Sequence, residues 1–208
     1  KVDWDNEVAY ITETMVKTAL ETAPKEFVLG ARNPEYDLWL PTSETVLNMD
    51  GCGSNVIDFV TGERRLGTLQ DLANVGKVFD AIPSAKVLWS CIQASDVENS
   101  RAAGVLATVT SLLSTCKHVQ DEIQRIDELP YVIEILKAIL GGTEEDVINR
   151  KIYSATYCTV APLCHDKEML EGTMALTKYK APVLMYPMPA CGSTGPASLY
   201  SNVAIANA

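Results

Sequence analysis

The chain has 208 residues, 47% apolar and 21% charged, a composition that excludes a disordered tail and fits one domain able to bury a substantial core. Its 17 basic and 27 acidic residues give a net charge of −10, which repels phosphate backbones and argues against nucleic acid as a partner. No apolar run is long enough for a bilayer, and Lys1 is followed by no basic stretch with an apolar core, so neither membrane insertion nor export is expected.

A helix is expected over Glu7–Thr22, followed by short extended runs at Phe27–Ala31, Tyr36–Leu40 and Thr45–Met49, punctuated by Pro34, Pro41 and Gly51. Residues 1–67 thus read as a small helix-plus-β preface. Thr68 opens a helix with Asp71 three residues on, a relative of the capping box, and Leu69, Leu72, Gly76 and Phe79 share one face. A strand follows at Lys86–Ile92. Asp96 then reads as the cap of a helix to about Leu113, with Ala102, Val105, Leu106, Val109 and Leu113 as its apolar stripe. After a short strand at Cys116–Gln120, the acidic run Asp121–Glu128 reads as a solvated face and helix entry. The helix it enters, Leu129–Leu140, has Pro130 in its first turn and Gly141-Gly142 as its stop. A short helix at Thr143–Asn149, a strand at Lys151–Cys158, a helix capped by Asp166 to about Lys178, and a strand at Pro182–Tyr186 continue the alternation. Pro196 then opens a last helical pattern.

Four strands separated by helices imply a parallel sheet, each helix being a crossover. The alternation alone fits either an open doubly wound sheet or a closed barrel. In either, reacting groups sit on the segments after the strands. The candidates are Gln93 and Ser95, then Gln120 and Asp121, then Thr159–Pro162, then Pro187–Thr194. In that last loop Gly192 and Gly195 allow close approach of a ligand to the main chain, while Ser193 or Thr194 also reads as the cap of the last helix. The six scattered cysteines read as free thiols of a reducing compartment. Cys158, Cys164 and His165 match no zinc spacing, and no metal is expected. Glu63-Arg64-Arg65 reads as a surface or interdomain salt bridge, and Gly51–Ser54 lacks the third glycine of a dinucleotide fingerprint.

Four stretches carry a family resemblance: Met15–Ala31 with the wording TALETAPKEFVLGAR that runs on to Arg32, DFVTGERRLGTLQDLANVGKVFDAIP at Asp58–Pro83, TVAPLCHDKEML at Thr159–Leu170, and APVLMYPMPACGSTGPASLY from Ala181. In this order they are similar to the trimethylamine methyltransferase family, the corrinoid-dependent amine and betaine methyltransferases. The resemblance implies a (β/α)8 TIM barrel whose first βα units occupy residues 68–208. About half a barrel would then be present, with an unpaired last edge that favours self-association. It implies a cytoplasmic enzyme moving a methyl group from a methylated, quaternary amine to the Co(I) of a corrinoid that a partner protein supplies, with no cofactor held tightly by the chain itself. Alignment rather than acid catalysis is then the main task, so no catalytic side chain is singled out. A quaternary ammonium has no N–H to donate and calls for aromatic faces. Tyr157 and Tyr186, the last aromatic residues of their strands, are the expected cage walls in preference to Tyr153 and Trp89. Gln93, Gln120, Gly192, Ser193 and Thr194 complete the expected substrate-binding set, with N–H groups at Ser193–Ala197 facing a betaine carboxylate. The alternatives are a non-catalytic quaternary-amine-binding protein and another barrel enzyme, such as a pterin-linked methyltransferase, for which Asp121 is the clearest strand-end carboxylate.

Overall fold

Parallel strands joined by helical crossovers dominate the computed structural model, which describes residues 1–49, 51–160 and 164–206. The chain begins with β1 (Val2–Asp3) and β2 (Val8–Ala9), an antiparallel pair, then α1 (Glu13–Thr22). The first helix therefore starts six residues later than its apolar pattern suggests. Thr12 sets that start, its hydroxyl accepting from the Met15 N–H at 3.3 Å. A second antiparallel pair, β3 (Phe27–Leu29) and β4 (Leu38–Leu40), precedes the short β5 (Leu47–Asn48).

A third pair, β6 (Asn55–Ile57) and β7 (Arg64–Leu66), has no counterpart in the sequence reading. Its strands are three residues long, too short to display an alternation. The connecting turn is set by Asp58, whose Oδ1 accepts from the N–H groups of Val60 and Thr61 at 3.0 Å each, and by Gly62 at φ +74°. The Arg65 guanidinium ties this hairpin to the next helix through a double contact with Asp71 at 2.6 and 2.8 Å.

The alternating part follows: α2 (Leu69–Asp80), β8 (Ala85–Trp89), α3 (Ala103–Ser114), β9 (His118–Glu122), α4 (Leu129–Leu140), α5 (Glu144–Arg150), β10 (Tyr153–Cys158), α6 (Lys167–Leu176), β11 (Val183–Tyr186) and α7 (Leu199–Ala206). Thr68 and Asp71 form a full capping box on α2, and Asp166 caps α6 by accepting from Met169 N–H at 2.8 Å. Two expected starts move. Asp96 accepts from Leu69 N–H at 3.0 Å and so anchors α2, whereas the turn leading into α3 is capped by Asn99. The last helix begins at Leu199, not Pro196, because Ser198 caps it, its Oγ accepting from Ser201 N–H at 3.2 Å.

The strands assemble in the order β5-β8-β9-β10-β11, all parallel, as one curled sheet. The four expected strands are there, and β5 adds a fifth, held by Leu47 N–H to Ser84 O at 3.2 Å and Met49 N–H to Val87 O at 3.1 Å. Each strand lies beside the next in sequence, with none of the order reversal of a doubly wound sheet, so the arrangement is that of a partial (β/α) barrel.

Register divides the side chains between two faces. Leu88, Val119, Tyr153 and Ala155 point toward the helices, where Phe79 of α2, Leu112 of α3, Val132, Ile133 and Leu136 of α4 and Leu176 of α6 cover them. The other face carries Val87 and Trp89 of β8, His118, Gln120 and Glu122 of β9, Ser154, Thr156 and Cys158 of β10, and Leu184 and Tyr186 of β11. Its base is closed by the β3–β4 pair, with Leu29 and Leu38 packed on Val87. Among the described residues no helix is long and apolar enough to cross a membrane.

The run Asp121–Glu128 departs from its reading as a solvated face. Asp121, Ile123 and Glu128 are all buried, and Glu128 pairs with Arg125 at 2.9 Å as the chain turns into α4. Alternation on β9 sends Asp121 under α3, and charge content alone carries no sign of that.

Candidate functional site at the carboxyl ends of the strands

The concave face carries cross-strand polar pairs that climb from base to rim. At the base His118 is fully enclosed, with Nδ1 2.8 Å from Gly30 O and Nε2 2.8 Å from the Ser154 hydroxyl. A carbonyl can only accept, so Nδ1 carries the proton and Nε2 accepts from Ser154. Burial holds this imidazole down to about 4 and keeps it neutral. One layer up, Gln120 Nε2 donates to Thr156 Oγ1 at 2.6 Å, and at the rim Cys158 Sγ stands 3.6 Å from Glu122 Oε1. Trp89 and Tyr186 face each other from opposite sides of β9 and β10 with ring centroids 5.7 Å apart and planes at 85°, an edge-to-face pair.

A cleft of about 480 Å³ opens over the carboxyl ends of β8 and β9, walled by Trp89, Ser90, Gln93, Asp121, Glu122 and Met188. Its outer side is α3, which presents Ala103, Gly104 and Ala107; their small side chains leave the space free. Trp89 is buried, and its indole N–H has no hydrogen-bond partner among the described residues.

The expected site residues separate into groups. Gln93 is exposed in the cleft wall and fixed by its backbone N–H to Gly53 O at 2.9 Å. Gln120 lies one layer below the rim, its amide committed to Thr156. Tyr186 is on the concave face against Trp89. Tyr157 is not: it pairs in register with Met185, whereas Tyr186 pairs with Cys158, so the two tyrosines occupy opposite faces. Tyr157 is fully buried among the helices, its hydroxyl 2.7 Å from His165 Nδ1 and its ring stacked on that imidazole. Tyr186 ends β11, whereas Tyr157 stands one residue before the end of β10, whose last residue, Cys158, is the partner of Tyr186.

The loop after β11 folds on itself. Gly192 sits at φ +78° and donates to Gly195 O at 2.9 Å, Ser193 N–H and Gly195 N–H both donate to Ala190 O at 3.0 Å, and Thr194 Oγ1 accepts from Ala190 N–H at 2.9 Å. The N–H groups of Ser193 and Gly195 are therefore occupied, and neither Ser193 nor Thr194 caps α7. The loop reaches the cleft through Met188. Ser95 is likewise structural, its hydroxyl donating to Gly67 O at 2.8 Å. Of the expected segment Thr159–Pro162, Ala161 and Pro162 lie outside the described residues.

Three thiols stand near the rim, and none is poised as a nucleophile. Cys52 is pushed up to about 12 and Cys158 to about 11, each by burial first and by the Glu122 carboxylate second, and Cys91 is raised by burial. All stay protonated near neutral pH. The arrangement suits binding and alignment of a ligand at the strand ends, with aromatic faces and carboxyl groups supplying the contacts. Glu122, which the sequence reading does not single out, and Trp89, which it passes over for Tyr157, become prominent once the register shows that both face the concavity.

Such a sheet, its parallel strands wound in sequential order beneath a cleft at their carboxyl ends, is that of a partial (β/α) barrel. The sequence model of the family described as trimethylamine methyltransferase (MTTB) matches residues 1–208, and the chain belongs to that family. It is 28% identical over 200 residues to a glycine betaine methyltransferase of Desulfitobacterium hafniense (strain Y51), covering 96% of this chain and 41% of the relative. It is also 28% identical to trimethylamine methyltransferase MttB of Desulfitobacterium hafniense (strain DSM 10664 / DCB-2), over 96% of this chain and 40% of the relative. Against trimethylamine methyltransferase MttB of Methanosarcina thermophila the identity is 26%, over 100% of this chain and 44% of the relative. The chain thus spans less than half the length of the curated relatives it matches.

Proposed function

We propose that the full-length protein transfers a methyl group from a quaternary methylated amine to the Co(I) of a corrinoid carried by a partner protein, and that the substrate sits in the cleft at the strand ends. The observation that carries this reading is the family match over residues 1–208 together with a cleft at the carboxyl ends of β8 and β9. We read the sheet as part of a (β/α)8 barrel completed by further chain beyond β11, whose Leu184 and Met185 are exposed.

The acceptor supplies the strong nucleophile; the C–N bond breaks as the methyl carbon is taken up, and the C–N electron pair leaves with a neutral tertiary amine. The protein is then asked to hold the cation, point one methyl group out of the cleft and exclude water. Trp89 and Tyr186 make an aromatic corner whose faces attract a cation lacking N–H groups, and Glu122 adds a negative charge to the same rim. Gln93 and Met188 border the space. Tyr157 has no part in this corner.

The test mixes full-length protein with reduced corrinoid and individual quaternary or tertiary methylamines and follows the Co(I) absorbance. Loss of the Co(I) band with a quaternary amine is the expected result. Binding of the amine with an unchanged spectrum would instead make the protein a non-catalytic receptor.

A further inference from the structure

The floor of the cleft holds a carboxyl group that has no cationic partner among the described residues. Asp121 Oδ2 is 2.5 Å from the Ser90 hydroxyl and accepts from Thr108 Oγ1 at 3.0 Å, while Oδ1 accepts from the Glu122 N–H at 2.9 Å. Ser90 Oγ is also 2.9 Å from Ser111 Oγ. The four side chains are 8%, 4%, 1% and 0% exposed for Asp121, Ser90, Thr108 and Ser111, and Asp121 and Ser90 form part of the cleft wall. β8, β9 and α3 therefore meet here through hydroxyls gathered on one carboxyl, where apolar packing would be the common arrangement.

The groups that face Asp121 give it no positive charge. β8 offers the Ser90 hydroxyl and α3 the hydroxyls of Thr108 and Ser111. β10 offers the fully buried Tyr153 phenol, and the remaining charges nearby are Glu122 and Glu128. Arg125, the nearest arginine in sequence, is committed to Asp127 at 3.0 Å and Glu128 at 2.9 Å. A buried carboxylate in such surroundings is costly. Burial, opposed by the hydrogen bonds from Ser90, Glu122 N–H and Thr108, pushes this carboxyl up to about 7. On the other face of the sheet, at the same rim, the Trp89 indole N–H is buried without a partner among the described residues.

We infer that Asp121 is the residue that answers the substrate's positive charge, taking up its own negative charge as a quaternary ammonium enters the cleft. This rests on the cleft being the amine site. A permanent cation lying against the wall replaces the missing counter-charge, Asp121 ionises, and one proton leaves to solvent for each ligand bound. The linkage has a definite sign. Below about pH 7 the free carboxyl is protonated and the bound one is not, so binding expels a proton and tightens as pH rises; above about pH 8 both states are ionised and the dependence vanishes.

Isothermal titration of full-length protein with glycine betaine and with tetramethylammonium tests this, run at about pH 6 and pH 8.5 in two buffers of different ionisation enthalpy. Release of close to one proton per ligand at the lower pH, none at the higher, and affinity about tenfold weaker at the lower pH are expected. Asp121→Asn should abolish both the release and the pH dependence, whereas Glu122→Gln should keep the release. Ser90→Ala, which removes a donor to the carboxylate, should move the release window to higher pH and serves if the asparagine variant does not fold. Binding without proton release at either pH overturns the role of Asp121 and leaves the amine site standing. Absence of binding by both ligands overturns the amine site, and this inference with it.

Discussion

Replacing Gly30 with alanine is expected to cost stability on the order of 3–5 kcal/mol, a large share of the roughly 5–15 kcal/mol of an ordinary domain. A Cβ at this position would lie 1.7 Å from the carbonyl oxygen of Arg150 and 3.3 Å from that of Lys151. Both are backbone atoms, which cannot rotate away. The segment is also pinned on every side. Gly30 N–H donates to Lys151 O at 3.1 Å, and its carbonyl accepts from His118 Nδ1 at 2.8 Å. The next residue, Ala31, donates to Asp37 Oδ1 at 2.7 Å, and Asp37 is held by both arms of the Arg150 guanidinium at 2.8 and 2.9 Å. Backing the chain away would break several of these bonds, at about 0.5–1.5 kcal/mol each, and uncover a buried imidazole. Urea unfolding of the full-length protein measures the effect as a fall in midpoint at unchanged slope. Gly142→Ala is the contrast: it lies at φ +103° with nothing within 4 Å, so only torsional strain is added, about 1 kcal/mol. Equal losses for the two variants would show that the base of the sheet is not packed as described.

The second large effect concerns recognition. Trp89→Leu is expected to raise KM for a quaternary amine about thirtyfold, with kcat changed far less. The indole wall borders the cleft, and Tyr186 fixes its orientation from 5.7 Å away. A desolvated cation over an indole face gains about 2 kcal/mol, and the contact is strongest in the bound substrate, where the nitrogen carries its full positive charge, so its loss falls mainly on KM. Leucine keeps an apolar contact but has no π face. Trp89→Phe, which retains one, should recover most of the affinity. Steady-state kinetics with saturating corrinoid separates the two, and equal KM values for the leucine and phenylalanine variants would assign Trp89 to packing alone.

How far the sequence reaches can be seen element by element. α4 is read at Leu129–Leu140 and found there, because Pro130 and the glycine pair at 141–142 leave the apolar period no room to slide. The capping box at Thr68 and Asp71 is equally local and equally legible. α3 is placed too early, since Asp96 is a good cap by type but spends its carboxyl on Leu69 N–H, a contact 27 residues away in sequence. Three-residue strands such as β6 and β7 offer no period to detect.

The site is legible to a smaller degree. That it lies on the segments after the strands follows from the alternation, and Gln93 is found in the cleft wall on that ground. Which strand-end side chains share the concavity depends on register between strands, a long-range property. Tyr157 and Tyr186 look equivalent in sequence, yet Tyr157 is the penultimate residue of β10 and Tyr186 the last of β11, which in register puts them on opposite faces. The same alternation turns Asp121 under α3 and Glu122 toward the rim. The loop at 192–194 attracts notice through its glycines, whose freedom serves a turn that closes on itself.

The most direct test of the account is a crystal structure of the full-length protein with glycine betaine, grown without reduced corrinoid so that no methyl group is lost. The account predicts the trimethylammonium group within about 6 Å of the Trp89 ring centre, between that face and the carboxyl groups of Glu122 and Asp121. Ligand found beside the Tyr157–His165 pair or on the loop at Gly192–Thr194, with only solvent over β8 and β9, would contradict it.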